Sequence, residues 1–149
     1  MTINKKLWPI KNGLSIEDFQ LVEATRKIIL EKACAGKHHI ACGLRTTKKE
    51  LFFGLHLSAS IGVGSICAEA VAISISQIHG NNEIEAIVSI RHCFDDNENV
   101  EIVAPCGRCR EIILEYGKYA KIILSENDKL FLSVVKSMIP FPFIRRKSK

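Results

Sequence analysis

The spacing of apolar residues changes period repeatedly along this chain, and the order of the changes restricts the fold class more than any other feature. From residue 15 to residue 33, Ile16, Phe19, Leu21, Val22, Thr25, Ile28, Ile29 and Leu30 recur at helical spacing. Ser15 precedes Ile16, Glu17 and Asp18, an N-cap followed by acids where the helix dipole favours them, and Gly36 is the expected terminator. Two strand-like runs follow, residues 38–46 and 50–58, joined by the polar Thr47, Lys48 and Lys49 as a hairpin. Gly62 and Gly64 break the chain before a second helix over residues 66–78, with Gly80 as its stop. That helix is rich in Ala and Ile around most of its circumference, which suits burial between other elements. Residues 85–90 are short, apolar and β-branched, as in a central strand, and the acidic, Asn-rich residues 94–99 read as a loop. A third helix starts just after Pro105 and runs through Cys109, Ile112, Ile113 and Tyr116 to Gly117. Strands at 120–124 and 129–132, joined by Glu126, Asn127 and Asp128, precede a helical turn over 133–138 that ends at Pro140. The order α-β-β-α-β-α-β-β argues a layered α/β domain with helices on both faces of one sheet.

No repeat, low-complexity tract or linker divides the 149 residues, so one domain over 1–149 is expected, with residues 144–149 as a basic tail. The longest apolar stretches, such as residues 51–57, fall far short of the ~20 residues a membrane span requires. Behind Lys5 and Lys6 there is no long apolar core, so a secretory signal is not expected and the cytoplasm is the expected location. The net charge of +5 invites a nucleic-acid reading, but Arg145, Arg146, Lys147 and Lys149 carry four of those charges. The remainder is close to balanced, so the tail reads as a solvated end, and neither nucleic acid nor membrane is an expected partner. Cys34, Cys42, Cys67, Cys93, Cys106 and Cys109 then point to thiols or metal ligands, not to bridges.

The chemistry concentrates at two helix starts. Pro105-Cys106-Gly107-Arg108-Cys109 places two thiols on a first helical turn, where both can point at one metal ion. The free N–H groups and positive dipole end of that turn favour the thiolate form. Redox dithiols and structural zinc knuckles share this spacing. Cys67-Ala68-Glu69 also opens a helix after a Gly-rich turn. If the two starts lie side by side, Cys67, Cys106 and Cys109 form a three-ligand zinc site with an open fourth position for water. Glu69 would lie beside that position without binding the ion, able to carry a proton from the water to a leaving group. Cys-x-Glu followed by Pro-Cys-x-x-Cys is the pattern of zinc-dependent nucleobase deaminases. The competing readings are a small buried thiol at Cys67 with Glu69 as a first-turn acid, and a closed structural zinc site whose fourth ligand is Cys93 or His92. His39, His79 and His92 otherwise read as surface or loop histidines, and Cys34 and Cys42 as core thiols.

Taken together, Phe53-Gly54-Leu55-His56-Leu57, residues 66–73, Ile87-Val88 and Pro105-Cys106-Gly107-Arg108-Cys109-Arg110-Glu111 resemble the small cytidine deaminases. The Cys-Gly-Arg-Cys-Arg wording is shared with the blasticidin-S-type branch, and the likeness runs over about residues 28–140. The resemblance implies a three-layer α/β/α fold with a five-stranded mixed sheet and assembly as a homotetramer, with a homodimer as the lesser form. It implies Cys67, Cys106 and Cys109 as ligands to Zn²⁺ and Glu69 as the proton shuttle. It also implies that Ala68 lends a backbone group to the base. The implied reaction is hydrolytic attack at C4 of a cytosine ring in a small nucleoside, with Glu69 protonating N3 and later the departing ammonia. A blasticidin-S-type deaminase is the narrower enzymatic alternative, and a nucleic-acid-binding module or a structural zinc protein the non-enzymatic ones.

Departures from the family pattern concern the substrate. The Asn and Glu that grip ribose hydroxyls in the family correspond to His56 and Ser58, and the ring-stacking Phe falls near His38. The family's Arg three residues after the first ligand is Ala70. Three thiolates around one Zn²⁺ carry a net negative charge, so helix N-termini must compensate, with Arg110 or Arg108 as candidate donors to sulfur. Phe141 and Phe143 form an aromatic segment that either packs locally or closes over the pocket of a neighbouring subunit.

Overall fold

The structure, a computed structural model, describes residues 13–80, 82–95 and 99–145. The expectations for the first twelve residues and for the basic tail beyond Arg145 lie outside the described residues. Helix α1 spans Ile16–Lys32 and begins in a capping box: the Asp18 N–H donates to Ser15 Oγ, and the Ser15 N–H donates back to Asp18 Oδ2. It ends at Lys32 with Ala33 as its cap, earlier than Gly36 suggests. Gly36, at φ 74°, serves the turn that follows.

Strands β1 (Ile40–Thr46) and β2 (Leu51–Leu55) form the expected hairpin. Helix α2 spans Ala68–Ile78, β3 Ile84–Cys93, β4 Asn99–Val103 and α3 Gly107–Tyr116. Strands β5 (Lys121–Glu126) and β6 (Lys129–Val134) complete the sheet, and a 3₁₀ turn, Val135–Met138, follows. The five-strand path β2-β1-β3-β5-β6 is mixed: β3 and β5 run parallel and the other pairs antiparallel. A sixth strand, β4, is additional to the elements read from the sequence. It pairs antiparallel with the second half of β3, from Ser89 opposite Val103 to Cys93 opposite Asn99.

Side-chain alternation along the strands divides the core into two layers. On one face α1 brings Leu21, Val22 and Ile29 against Ala41, Ala86, Val88 and Ile90. On the other, α2 and α3 bring Ala68, Ala72, Ile73 and Ile113 against Cys42, Leu44, Ile87 and Ile122. The result is the three-layer α/β/α arrangement. Arg45 fastens the start of α1 to the sheet: its buried guanidinium donates to Asp18 at 2.6 Å and to Glu85 at 2.7 Å. No helix among the described residues is long and apolar enough to cross a membrane.

Candidate active site

Helices α2 and α3 begin side by side on the same face of the sheet, and a cysteine stands at the N-cap of each, Cys67 and Cys106. The two cap sulfurs converge on each other. Cys109 lies in the first turn of α3 and is fully buried. The Cys67 and Cys106 sulfurs are 3.9 Å apart, and all three sulfurs lie within 4.8 Å of one another. Thiolates at about 2.3 Å from a tetrahedral zinc ion stand about 3.8 Å apart, so the spacing suits that ion with little adjustment. Among the described residues this is the one group of three or more Cys, His, Asp or Glu ligand atoms so gathered, and neither Cys93 nor His92 belongs to it.

What seats α2 so closely is a row of small residues across three strands. Gly54 on β2, Cys42 on β1 and Ser89 on β3 are direct register partners. A Cβ on Gly54 would stand 2.4 Å from the Ala68 carbonyl oxygen and 2.5 Å from the Ala72 nitrogen, so only glycine admits the first turn of α2 there. Beyond Gly54 the chain is tied back to the same helix, since Leu57 and Ile66 exchange backbone hydrogen bonds at 3.0 and 2.9 Å immediately before Cys67.

In that first turn Glu69 is buried, with 6% of its surface exposed. Its Oε1 accepts a hydrogen bond of 3.0 Å from the Ser89 hydroxyl, and Oε2 lies 3.4 Å from the Cys109 sulfur. Burial pushes the Cys109 thiol far above its ordinary pKa, with the Glu69 charge next in effect. Burial also raises Cys67. At Cys106 burial acts in the same direction, but hydrogen bonds from the Cys109 backbone and from the Cys109 and Cys67 thiols outweigh it and lower the pKa. A carboxylate and three thiols packed this tightly do not all ionise without a cation, and a soft-ligand divalent ion is what such a donor set selects.

The remaining candidates divide into two groups. His56, half-buried, leaves β2 on the α2 side, and burial, then the neighbouring His39 and His38, holds its imidazole below the ordinary pKa. Its Nδ1 is buried without a hydrogen-bond partner. His38 Nδ1 donates to the His56 carbonyl oxygen at 2.9 Å. Ala68 is the first residue of α2 and is buried. Ser58, by contrast, is exposed, with its backbone N–H donating to the Lys37 carbonyl. Arg110 is engaged with backbone carbonyls. Arg110 Nε donates to the Pro105 carbonyl at 2.9 Å and its Nη1 reaches the Met138 carbonyl at 3.5 Å, bracing the turn before α3. Arg108 is exposed. One residue of this cluster escaped the sequence reading: Ser89 is the one polar residue among the buried Ile87, Val88 and Ile90 of β3. His39, in a loop and partly exposed as expected, stacks edge-on to His56 and Phe94.

Comparison with known proteins agrees with this geometry. The cytidine deaminase of Bacillus anthracis superposes with a TM-score of 0.72 over 85% of this chain and 89% of its own, at 15% identity, a likeness of fold. A probable cytidine deaminase of Dictyostelium discoideum is 25% identical over 108 residues, 72% of this chain and 70% of that protein. The blasticidin-S deaminase of Bacillus cereus is 32% identical over 135 residues, 89% of this chain and 96% of that protein. The chain belongs to the cytidine deaminase family. No family model matches this cytidine deaminase homologue. The extent of the Bacillus cereus match nevertheless takes in β1–β2, both helix starts and β3, the elements that assemble the site of this family member.

Proposed function

We propose that this chain hydrolyses the exocyclic amino group of a cytosine-type nucleoside, with Zn²⁺ held by Cys67, Cys106 and Cys109 and protons carried by Glu69. The observation that carries the reading is a buried carboxylate set against three converging sulfurs. Zinc bound with an open fourth position makes a water nucleophilic near neutral pH. Glu69 then has two tasks. As base it takes the proton released when water adds to C4 and passes it to N3; it then takes the second proton, from the new C4 hydroxyl, and as acid delivers it to the amino nitrogen. The C4–N bond breaks, ammonia departs and the uracil-type carbonyl forms. Burial of Glu69 beneath the start of α2 shields these transfers from bulk water.

On the substrate side, His56 supplies an imidazole whose pKa is held down chiefly by burial, while the exposed Ser58 hydroxyl offers a shorter, uncharged contact than a carboxylate would. With His38 and the backbone of Ala68, these are the proposed substrate contacts. The near full-length match to a blasticidin-S deaminase supports a second substrate reading, and blasticidin S therefore stands beside cytidine and deoxycytidine in the assay panel. The reading takes residues 1–149 as one domain. It includes assembly as a homotetramer or homodimer, for which the exposed Phe143 and Ile144 offer apolar surface. A cytoplasmic setting is part of it, supported by six free thiols.

The test is turnover. The zinc-loaded protein should release ammonia from at least one member of the panel, followed by the loss of cytosine absorbance. Glu69→Gln should retain one zinc per chain by native mass spectrometry and lose about 10²- to 10⁴-fold in kcat. Full activity in that variant would overturn the shuttle. Activity surviving the removal of metal would overturn the zinc assignment.

A further inference from the structure

The two oxygens of Glu69 lie in different surroundings, and the difference originates on the central strand. Ser89 lies on the α2 side of β3 and is 3% exposed. It occupies an inward position in a run whose neighbours, Ile87, Val88 and Ile90, are apolar and buried. A hydroxyl at such a position destabilises the fold unless it finds a partner. Its register partner Cys42 offers only a thiol, a weak hydrogen-bonding partner, and Gly54 beyond it offers no side chain. The strong acceptor is the Glu69 carboxylate, at 3.0 Å to Oε1. Oε2 is turned to the sulfurs, 3.4 Å from Cys109.

We propose that Ser89 is a positioning residue for the proposed deamination: its hydroxyl pins Oε1 of Glu69 so that Oε2 alone faces the reacting ring. The inference rests on the proton-carrying role of Glu69 proposed above. A carboxylate at the end of a long side chain rotates broadly about its last torsion. Without a fixed donor at Oε1 it would spread over orientations in which neither oxygen reaches both the attacking water and the leaving nitrogen. Serine suits both halves of the cycle. Oε1 accepts the hydroxyl proton when the carboxylate is charged, and still accepts it as a carbonyl oxygen when Oε2 carries a proton. The donor sits on β3, between β1 and the β4–β5 side of the sheet, and therefore on the most rigid part of the site.

Ser89→Ala and Ser89→Thr in the zinc-loaded full chain test the assignment. Misplacing a catalytic group by about 1 Å costs up to about 10²-fold. Ser89→Ala should accordingly lose about 10- to 100-fold in kcat, with KM within about twofold and one zinc per chain retained. Ser89→Thr, which keeps the hydroxyl, should recover most of the loss. Affinity for a reduced-ring nucleoside bearing a 4-hydroxyl, a mimic of the tetrahedral adduct, should fall in step with kcat while product affinity holds. A crystal structure of the zinc-loaded alanine variant should show the Glu69 carboxylate rotated or in more than one orientation. If the alanine variant does not fold, Ser89→Thr and the weakly donating Ser89→Cys carry the same comparison. Wild-type kcat in Ser89→Ala, a threonine variant as impaired as alanine, or a loss of kcat that tracks loss of zinc would each overturn the positioning role. A wild-type protein inactive on every cytosine derivative overturns the proposed function itself, an outcome separable from these because it precedes any substitution.

Discussion

Adding one methyl group at Gly54 perturbs the site without altering a proposed metal ligand or the proposed proton carrier. The new Cβ would meet the Ala68 carbonyl oxygen at 2.4 Å, the Ala72 nitrogen at 2.5 Å and the Val71 Cβ at 3.0 Å. Ordinary contact begins near 3.4 Å, so the first two approaches are too close by about 1 Å. Both obstructing atoms are backbone of α2, which cannot rotate aside as a side chain would. The helix start has to move by about that distance. It carries Cys67 and Glu69 with it, while Cys106 and Cys109 stay on α3. Forced overpacking of this kind costs about 1–3 kcal/mol, and for a chain of this size about 2–4 °C in Tm per kcal/mol. A displacement of about 1 Å between the carboxylate and the metal site costs about 10²-fold in kcat. Gly54→Ala should therefore melt several degrees lower, bind zinc more weakly and lose most of its turnover. Two further glycines calibrate the result. Gly62 has nothing within 4 Å of its would-be Cβ, so Gly62→Ala should change stability by less than about 0.5 kcal/mol. Gly43 is as crowded, 2.0 Å from Thr25 Oγ1, but on the α1 face. Gly43→Ala should lower stability with a smaller loss of kcat in the molecules that remain folded. Unfolding curves, native mass spectrometry and kinetics on the three variants decide the matter. A Gly54→Ala protein with wild-type Tm and kcat, or one no more impaired in kcat than Gly43→Ala, would refute the close-seating argument.

Asp18→Asn removes the carboxylate facing the Arg45 guanidinium, where the two side chains are 3% and 5% exposed. Because Glu85 still faces Arg45, the guanidinium keeps one partner, and the loss of the more buried pair should cost about 1–3 kcal/mol in urea unfolding, whereas Lys49→Ala, which removes the half-exposed partner of Glu85, should cost under about 1 kcal/mol. Equal effects would mean that burial does not govern this network. The same network makes stability depend on pH. Burial alone would raise the pKa of Glu85, but hydrogen bonds from Lys49 and Arg45 outweigh it and hold the carboxyl below its ordinary value. Its stabilising contribution is thus complete above the unfolded-state pKa of about 4.3 and is lost as pH falls through the lower folded value. Wild type and Glu85→Gln should differ in stability at pH 7 and converge below pH ~4; curves that stay parallel would contradict the assignment.

The parts of the molecule legible in the sequence are those encoded over a few neighbouring positions. Cys67 with Glu69, and Cys106 with Cys109, are separated by two or three residues at helix starts, so their mutual geometry follows from helix periodicity alone. Helices α1 and α3 and the β1–β2 hairpin were likewise readable from local period and caps. Strand β4 was hidden differently: it alternates cleanly, with Val100 and Ile102 buried between exposed or half-buried neighbours, but five residues after an acidic loop carry little weight. Ser89 could not be read locally, because its contact with Glu69 depends on which strand lies beside which and on which face of the sheet receives α2. Once β1 is known to pair with both β2 and β3, Gly54, Cys42 and Ser89 fall in one row, and side-chain parity sends all three to the same face. The same rule explains why Arg110, adjacent in sequence to a proposed ligand, turns instead to the Pro105 and Met138 carbonyls. One residue further along a helix is about 100° around it, so proximity to Cys109 along the chain places Arg110 on a different face from the sulfur. Helix starts therefore supply the reactive groups of this site, whereas the register of the central strands determines how closely those groups approach and which way the carboxylate turns.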